Sequence, residues 1–200
     1  MSLRVFAAVF LVACVAGCEN GETSRLNNPN TPYLAASGSA ASQGTSGYDP
    51  ISYWDGDGVP GKPSVQIHLS EERAYFYKGD QLVGVSQIST GREGHDTPPG
   101  SYKIIQKDVN HASSLYGDYV DATGNIVQKD VELGKDPKPP GAIFKGAPMP
   151  YFMRITGGVG MHEGYLPGYP ASHGCIRMPG KMAVAFFSNV DLGTPVTVYK

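Results

Sequence analysis

The stretch HEGYLPGYPASHGCIRMP, residues 162–179, brings two histidines, a cysteine and an arginine close together along the chain. A free cysteine thiol has a pKa of about 8.5, so only a few per cent of it is thiolate at neutral pH. An adjacent imidazole raises that fraction and can later protonate a leaving amine. The stretch therefore predicts a nucleophile at Cys175, with His162 or His173 beside it.

The residues next to Cys175 fit the same chemistry. Gly174 lets a substrate approach the backbone closely, and the N–H groups around Gly174 and Cys175 would then stabilise an oxyanion. A helix that starts at Pro179 would place its positive end behind the cysteine and favour a thiolate. Taken singly, Cys175 also fits a small buried hydrophobic residue, and Arg177 a surface ion pair.

A zinc site is the alternative use of histidines and a cysteine. His173 and Cys175 are only two positions apart, and no second close cysteine or pair of carboxylates provides the spacing of a structural zinc site. We therefore predict neither a metal nor another cofactor. The remaining histidines, His68, His95 and His111, are predicted to be ordinary core or surface residues.

Length and composition narrow the class of protein. The 200 residues suggest one domain with an extra segment. The chain has 16 Lys and Arg against 18 Asp and Glu, for a net charge of −2, and no basic stretch, which argues against binding to nucleic acid. With 26 glycines and 16 prolines, the composition favours a turn-rich β protein over a helical bundle.

The N-terminus has the pattern of an export signal. Arg4 precedes an apolar run over residues 5–17, which is too short to span a membrane comfortably as a helix. The run ends in Val15-Ala16-Gly17-Cys18, which resembles the lipobox of bacterial lipoproteins. We predict a signal peptide over 1–17 and lipid on Cys18. Cys14 also fits a lipobox but would leave a shorter apolar run, and an ordinary signal peptide or an uncleaved anchor is the alternative.

Residues 18–63 are predicted to form the lipidated cysteine and a flexible linker. The segment is rich in Gly, Ser and Asn, and such a composition buries too little apolar area to order itself. Trp54, the only tryptophan of the chain, is a candidate for docking on the domain. Removal of the signal region leaves no disulfide framework, so Cys175 would be a lone thiol, which in an oxidising compartment implies a function.

Residues 64–200 are predicted to form a mainly β domain with a helix in its C-terminal half. The helix is expected to start at Pro179 and end at Gly193, because Met182, Phe186 and Val190 recur every four residues. Residues 107–148 are polar and turn-rich and are interpreted as a long loop region with room for a short hairpin. Strands are predicted in VQIHL (65–69), in a hairpin over 73–90 with its turn at 78–80, in TPPGSYKIIQ (97–106), in YFMRIT (151–156) and in TPVTVY (194–199).

Several of these motifs together resemble the L,D-transpeptidase family, also called the YkuD domain. Its signature is a Ser/Thr-His-Gly-Cys-apolar-Arg/Asn stretch with an upstream histidine, here SHGCIR at residues 172–177 and His162. STGREGHDTPPGSYKI (89–104) is similar to the family's strand that ends in Ser-Thr-Gly, and YFMRITGGVGMHEG (151–164) to the strand that leads into the first histidine. The resemblance extends over about Ser64 to Tyr199.

The resemblance implies a fold and a role for each residue. The fold is β-sandwich-like with mixed sheets, and the reaction proceeds through a cysteine acyl-enzyme. Cys175 would be the nucleophile and His162 the base and later acid, with a backbone carbonyl near Glu163 orienting its ring. By the same resemblance, His173 shapes the surroundings of the thiol. Contacts to the substrate or oxyanion are implied for Ser172, Gly174 and Arg177.

The implied substrate is peptidoglycan. The cysteine would attack the carbonyl of the third stem-peptide residue and release D-alanine, and an amine on another stem peptide or on a wall-attached protein would then take the acyl group. We accordingly expect an extracytoplasmic, periplasmic enzyme held by lipid on Cys18, in the outer membrane. Glu19 after Cys18 is compatible with that sorting.

Three other functions compete with transpeptidation. If water takes the acyl group, the same residues make an L,D-carboxypeptidase or another hydrolase. A non-catalytic wall-binding lipoprotein is the second alternative, and the intact Cys175, His162 and Arg177 argue against it. A sortase-like enzyme also uses Cys, His and Arg, but here two histidines crowd the cysteine and no threonine precedes it.

Overall fold

The computed structural model describes residues 51–200. The predicted signal peptide, Cys18 and the linker up to residue 50 lie outside the described residues. The described part consists mostly of strands in two mixed sheets with a helix, as predicted. None of the helical structure in residues 51–200 is long and apolar enough to cross a membrane.

The first sheet has six strands in the order β1-β4-β3-β2-β11-β5. Neighbours are antiparallel except β2 and β11, which pair in parallel and join the beginning of the domain to its end. The predicted hairpin is confirmed, with β3 and β4 flanking Gly79 and Asp80. The strands are β1 (Tyr53–Trp54), β2 (Pro63–His68), β3 (Arg73–Lys78), β4 (Gln81–Gln87), β5 (Gly100–Lys103) and β11 (Pro195–Tyr199).

The second sheet has five strands in the order β10-β9-β8-β6-β7. Only the short pair β9 and β10 is parallel. His162 lies in β9, and Cys175 directly precedes β10. The strands are β6 (Gln106–Val120), β7 (Ile126–Glu132), β8 (Ile143–Thr156), β9 (Val159–Glu163) and β10 (Ile176–Met178).

The interpretation of residues 107–148 as a long loop is wrong, and the hairpin for which that interpretation left room is present and longer than expected. They form most of β6, all of β7 and the first part of β8, paired as an antiparallel arm. Much of this arm is exposed on both faces, so its residues do not alternate between apolar and polar. Strands are predicted from that alternation, so a strand with polar residues on both faces is easily taken for a loop.

The helix α1 (Gly180–Asn189) follows Pro179, in agreement with the predicted start. It ends at Asn189, four residues before the predicted Gly193, because Val190 adopts an extended conformation. Met182 and Phe186 face the core, as the four-residue spacing predicts, and Val190 is also buried although it lies beyond the helix. The helix thus packs between the two sheets against the main hydrophobic core.

The fold begins before residue 64. Tyr53 and Trp54 form β1 and pair with Val85 and Gly84 of β4. The Trp54 ring packs edge-on against Phe76, with 5.0 Å between ring centroids, and its Nε1 donates a 2.9 Å hydrogen bond to Asp57. Trp54 is only 6% exposed, so the last part of the predicted linker belongs to the core of the domain.

Candidate active site

The parallel pairing of β9 and β10 sets which side chains meet at the site. Ile176 pairs with Met161, and both are fully buried in the core. Side chains alternate across a strand, so the next pair, Arg177 and His162, faces the opposite side. Cys175 lies directly before β10 and joins His162 and Arg177 in the lining of one pocket.

The pocket has a volume of about 580 Å³ and is lined by residues of β6, β8, β9 and β10 of the second sheet and of the turns beside them. One wall carries the cysteine, the two histidines and the arginine of the motif. Much of the remaining lining comes from β6 and β8, and all of this part except Met149 and Arg154 falls within residues 107–148, which were predicted to be a loop. Here β6 bulges by four residues (113–116) against Ala147 alone on β8. Such bulges re-aim side chains, and this one brings Leu115 and Tyr116 to the pocket.

His162 is held in one orientation by its neighbour. Its Nδ1 lies 2.7 Å from the carbonyl oxygen of Glu163, which accepts the Nδ1 proton, as the resemblance implied. The neutral ring therefore carries its proton on Nδ1 and leaves Nε2 as an acceptor. Burial lowers the pKa of His162 to about 4, against the opposing effect of the Glu163 carbonyl. At neutral pH the side chain is an uncharged base.

Cys175 is also uncharged at rest. Burial raises the pKa of its thiol, while the Gly160 amide and the cations of Arg154 and Arg177 act in the opposite direction. The Sγ donates a long 3.5 Å hydrogen bond to the carbonyl of Gly158. The resting site thus holds a neutral thiol and a neutral imidazole, which differs from the stored thiolate suggested by the sequence.

The helix N-terminus does not serve the cysteine as expected. Helix α1 begins at Gly180, after β10 has carried the chain away from Cys175. The carboxylate of Glu163 lies beside this first helical residue, with Oε1 only 3.0 Å from where a Cβ on Gly180 would stand. The positive end of the helix is therefore next to Glu163, and the positive charges near the thiol come from arginines.

The turn before Cys175 modifies the predicted oxyanion site. The Ser172 hydroxyl accepts the Gly174 N–H at 3.0 Å and donates to the Cys175 carbonyl at 2.5 Å. The Gly174 N–H is thus occupied within the turn. The Cys175 N–H bonds no other group of the described residues, so it is the amide left for an oxyanion. Gly174 has a φ of +108°, a backbone conformation in which a side chain would be strained.

A segment between β4 and β5 holds this turn from behind. The Thr90 carbonyl accepts the N–H groups of both Ala171 and Ser172, and the Arg92 N–H donates to the Ser172 carbonyl. Thr97 donates from its hydroxyl to the Gly174 carbonyl at 2.8 Å. The STGREGHDT sequence, recognised before only as a family motif, is therefore the support of the cysteine turn.

His173 is engaged differently from His162. Its Nε2 lies 2.7 Å from Nη2 of Arg92, and its ring stacks on Tyr116 with 4.1 Å between centroids. His95 contacts the same ring edge-on at 4.8 Å. Desolvation, followed by Arg92, lowers the pKa of His173. Both predicted histidines line the pocket, but of the two only His162 keeps its proton-accepting nitrogen free of a partner among the described residues, because Nε2 of His173 is bonded to Arg92.

Arginines dominate the charge around the pocket. Desolvation lowers the pKa of Arg177, whose half-buried side chain packs its methylene groups against Gly164 and makes no hydrogen bond or ion pair with the described residues. Arg154 donates from Nε to Gln106 at 2.7 Å and from Nη1 to the Gly157 carbonyl. The half-buried guanidinium of Arg177 has no partner among the described residues, and such a cation is suited to binding an anionic ligand.

The residues that contact the motif from other segments were not predicted from the sequence. Arg92 and His95 follow the Ser-Thr-Gly motif, and the only available signal was that motif itself. Tyr116 and Arg154 gave no signal, because their position depends on the bulge and on strand pairing. His111, predicted to be ordinary, lines the pocket and stacks on Phe152 at 4.2 Å. Within residues 51–200 no group of three or more His, Cys, Asp or Glu side chains could hold a metal ion.

Comparison with known families matches this architecture. The family model described as YkuD, the L,D-transpeptidase catalytic domain, matches residues 62–198. A search of curated proteins found no match.

Solved structures share the fold at low sequence identity. An L,D-transpeptidase from Mycobacterium smegmatis is 17% identical with a TM-score of 0.51, over 70% of this chain and 59% of that one. One from Stackebrandtia nassauensis is 19% identical with a TM-score of 0.51, over 78% and 62%. An LD transpeptidase in complex with imipenem is 19% identical with a TM-score of 0.51, over 68% and 58%. The chain therefore covers less than two thirds of each of these relatives.

Proposed function

The chain belongs to the YkuD family of L,D-transpeptidase catalytic domains, and from this premise we propose that it is a peptidoglycan L,D-transpeptidase with Cys175 as nucleophile. The observation that carries the proposal is the shared pocket of Cys175, His162 and Arg177, in which His162 presents a free Nε2 as an uncharged base. This arrangement suits acyl transfer through a thioester.

The first half-reaction forms the acyl-enzyme. His162 Nε2 takes the thiol proton as the sulfur of Cys175 attacks the carbonyl carbon of the third stem-peptide residue. Because thiol and imidazole are both neutral at rest, the proton moves only when the substrate is in place. The Cys175 N–H stabilises the oxyanion, and the C–N bond to D-alanine then breaks as His162 returns the proton to the leaving amine.

The second half-reaction transfers the acyl group. An acceptor amine, on another stem peptide or on a wall-attached protein, attacks the thioester carbonyl and gives its proton to His162. The thiolate leaves and is reprotonated by the same imidazole, which restores the resting pair. No ATP or metal enters this cycle, which suits a site outside the cytoplasm.

Arg177 is proposed to bind a substrate carboxylate. Its guanidinium lines the pocket and has no acidic partner among the described residues. Stem peptides carry carboxylates close to the bond that is cleaved, and a guanidinium binds a carboxylate in a two-pronged geometry. His173, Gly174 and Ser172 are proposed to shape the turn that presents the thiol.

The predicted lipid on Cys18 would anchor the enzyme in the outer membrane, with the catalytic domain in the periplasm facing the wall. The Val15-Ala16-Gly17 sequence before the cysteine supports this proposal, and Glu19 after it is compatible with outer-membrane sorting.

Incubation of the full-length protein with a disaccharide-tetrapeptide, followed by mass analysis, tests the activity. We expect a cross-linked dimer and free D-alanine, and neither from Cys175→Ala. A tripeptide without dimer would identify the L,D-carboxypeptidase alternative, which uses the same residues with water as the acceptor. Unchanged substrate with the wild-type protein would favour a non-catalytic wall-binding lipoprotein.

A further inference from the structure

The hydrogen bond between Arg92 and His173 fixes where the histidine carries its proton. Nη2 of Arg92 lies 2.7 Å from Nε2 of His173. A guanidinium can only donate hydrogen bonds and stays protonated at any ordinary pH. Nε2 must therefore be the acceptor, which leaves the neutral ring with its proton on Nδ1.

The groups packed around His173 also oppose a charge on it. Tyr116 stacks on its ring and His95 contacts it edge-on. Desolvation disfavours the imidazolium most, followed by Arg92, His95 and Arg177, and Glu132 is the carboxylate that favours it. A cation that already donates to Nε2 blocks the nitrogen that would otherwise accept a second proton.

We propose that Arg92 is a positioning residue of the acyl-transfer reaction, which holds His173 neutral with its proton on Nδ1 so that His173 does not compete with His162 as the base for Cys175. This inference rests on the proposed function for its catalytic meaning, but the protonation state it assigns belongs to the protein alone. Three imidazoles, those of His111, His162 and His173, line the same pocket as Cys175. His173 lies two positions from Cys175 in the chain, and an unoccupied acceptor nitrogen on its ring would compete with His162 for the thiol proton.

Arg92 can be tested through its side chain without removing its backbone contact. Its N–H donates to the Ser172 carbonyl at 3.0 Å, and any substitution except proline retains this bond. Arg92→Leu removes the donor and the charge while keeping an aliphatic stem. Arg92→Lys keeps a donor and a charge. Lys103, exposed on β5 and outside the lining of the pocket, provides a matched loss of charge as Lys103→Leu.

The experiment is a titration of ¹⁵N-histidine-labelled full-length protein followed by NMR, with the His173 signals assigned by comparison with His173→Gln. In the wild type we expect an Nδ1-protonated ring that does not titrate near pH 6.5. In Arg92→Leu we expect mixed tautomers and a titration midpoint at least about one pH unit higher, with recovery in Arg92→Lys and no change in Lys103→Leu. An Nε2-protonated ring in the wild type, or an unchanged titration in Arg92→Leu, would overturn the proposal.

A kinetic readout separates this role from a purely structural one. The readout is the rate of imipenem acylation of Cys175 as a function of pH. His162 becomes positive when it takes the thiol proton, and a positive His173 would disfavour this second charge. Arg92→Leu is expected to gain an extra ionisation on the acid side, with a rate loss of roughly threefold or more between pH 8 and pH 6 that the wild type lacks. A pH-independent rate loss in Arg92→Leu would make Arg92 merely structural. If no variant acylates while the NMR result holds, the proposed function fails and the protonation assignment stands.

Discussion

The hydroxyl of Thr97 donates a 2.8 Å hydrogen bond to the backbone carbonyl of Gly174, across 77 positions of the chain. The same oxygen accepts the N–H of Gly91 at 3.0 Å, so one buried side chain ties two segments together. Gly174 immediately precedes the candidate nucleophile. The direction of its carbonyl therefore fixes the peptide plane that carries the Cys175 N–H.

Thr97→Val tests this connection. The substitution keeps the shape of the side chain but leaves two buried backbone groups without a partner, which should lower the free energy of unfolding by about 1–3 kcal/mol. We also expect slower acylation of Cys175 at temperatures where the variant is fully folded, measured by mass spectrometry with imipenem. Thr97→Ser retains the hydroxyl and should behave like the wild type in both assays. Equal acylation by Thr97→Val would mean that this bond serves stability alone.

The boundary of the domain gives a second prediction. A truncated chain that begins at Tyr48 retains β1 and should unfold cooperatively, like the full-length protein. A chain that begins at Ser64 lacks Trp54, whose ring packs against Phe76 and Phe186. Loss of a buried tryptophan costs about 3–5 kcal/mol, so the shorter chain should melt at a clearly lower temperature or lose cooperativity in circular dichroism. Equal melting of the two chains would contradict the role of Trp54.

The lipid anchor is a third prediction. Cys18→Ser expressed in a bacterium should accumulate as an unlipidated precursor and leave the detergent phase in a phase-partition assay. Mass spectrometry of the wild type should show a diacylglycerol adduct on the N-terminal cysteine of the mature chain. If the adduct persists in Cys18→Ser, the lipidated residue is Cys14 instead. Cys14→Ser is the matched control and should keep the adduct if Cys18 is the site.

Sequence patterns predicted the parts of the fold in which one face is buried. Strands β3 and β11 alternate between buried and less buried residues, and helix α1 buries residues Met182 and Phe186 four positions apart, so their patterns predicted them correctly. The arm of β6 to β8 was missed because much of it is exposed on both faces. Trp54 fell within the predicted linker because the two residues of β1 are too few to show any alternation, and its candidacy for docking on the domain is confirmed by its burial.

The candidate site divides in the same way. Cys175, His162 and Arg177 were predicted from local motifs. The parallel register of β9 and β10 then pairs Arg177 with His162, next to Cys175. What acts on these residues comes from distant segments, such as Thr97 behind Gly174 and Tyr116 on His173. Such contacts depend on strand pairing and on a bulge, and a single sequence does not encode them as a local pattern.

The stability of the protein should depend on pH through His162. Its pKa is about 4 in the folded protein against 6.5 for the free side chain, because the ring is buried. Below pH 6.5 the unfolded chain binds a proton that the folded one refuses, so stability falls as the pH drops from about 6.5 towards 4. The maximum contribution is about 3 kcal/mol, measurable by chemical denaturation. His162→Gln should show a shallower loss over this window, and an equal slope would show that other groups cause it.

The last prediction concerns which histidine activates the thiol. Imipenem should add one covalent mass to the wild-type protein and none to Cys175→Ala, as expected for a single nucleophile. His162→Ala should slow this acylation by roughly 100-fold or more, since a lost general base typically costs that much. His173→Ala should have a smaller effect, because its Nε2 is already bonded to Arg92 and its ring serves the pocket wall through Tyr116. Melting curves of both variants establish that the loss occurs in folded protein. If His162→Ala acylates at the wild-type rate while His173→Ala is inert, the base is His173, and the free Nε2 of His162 has another use.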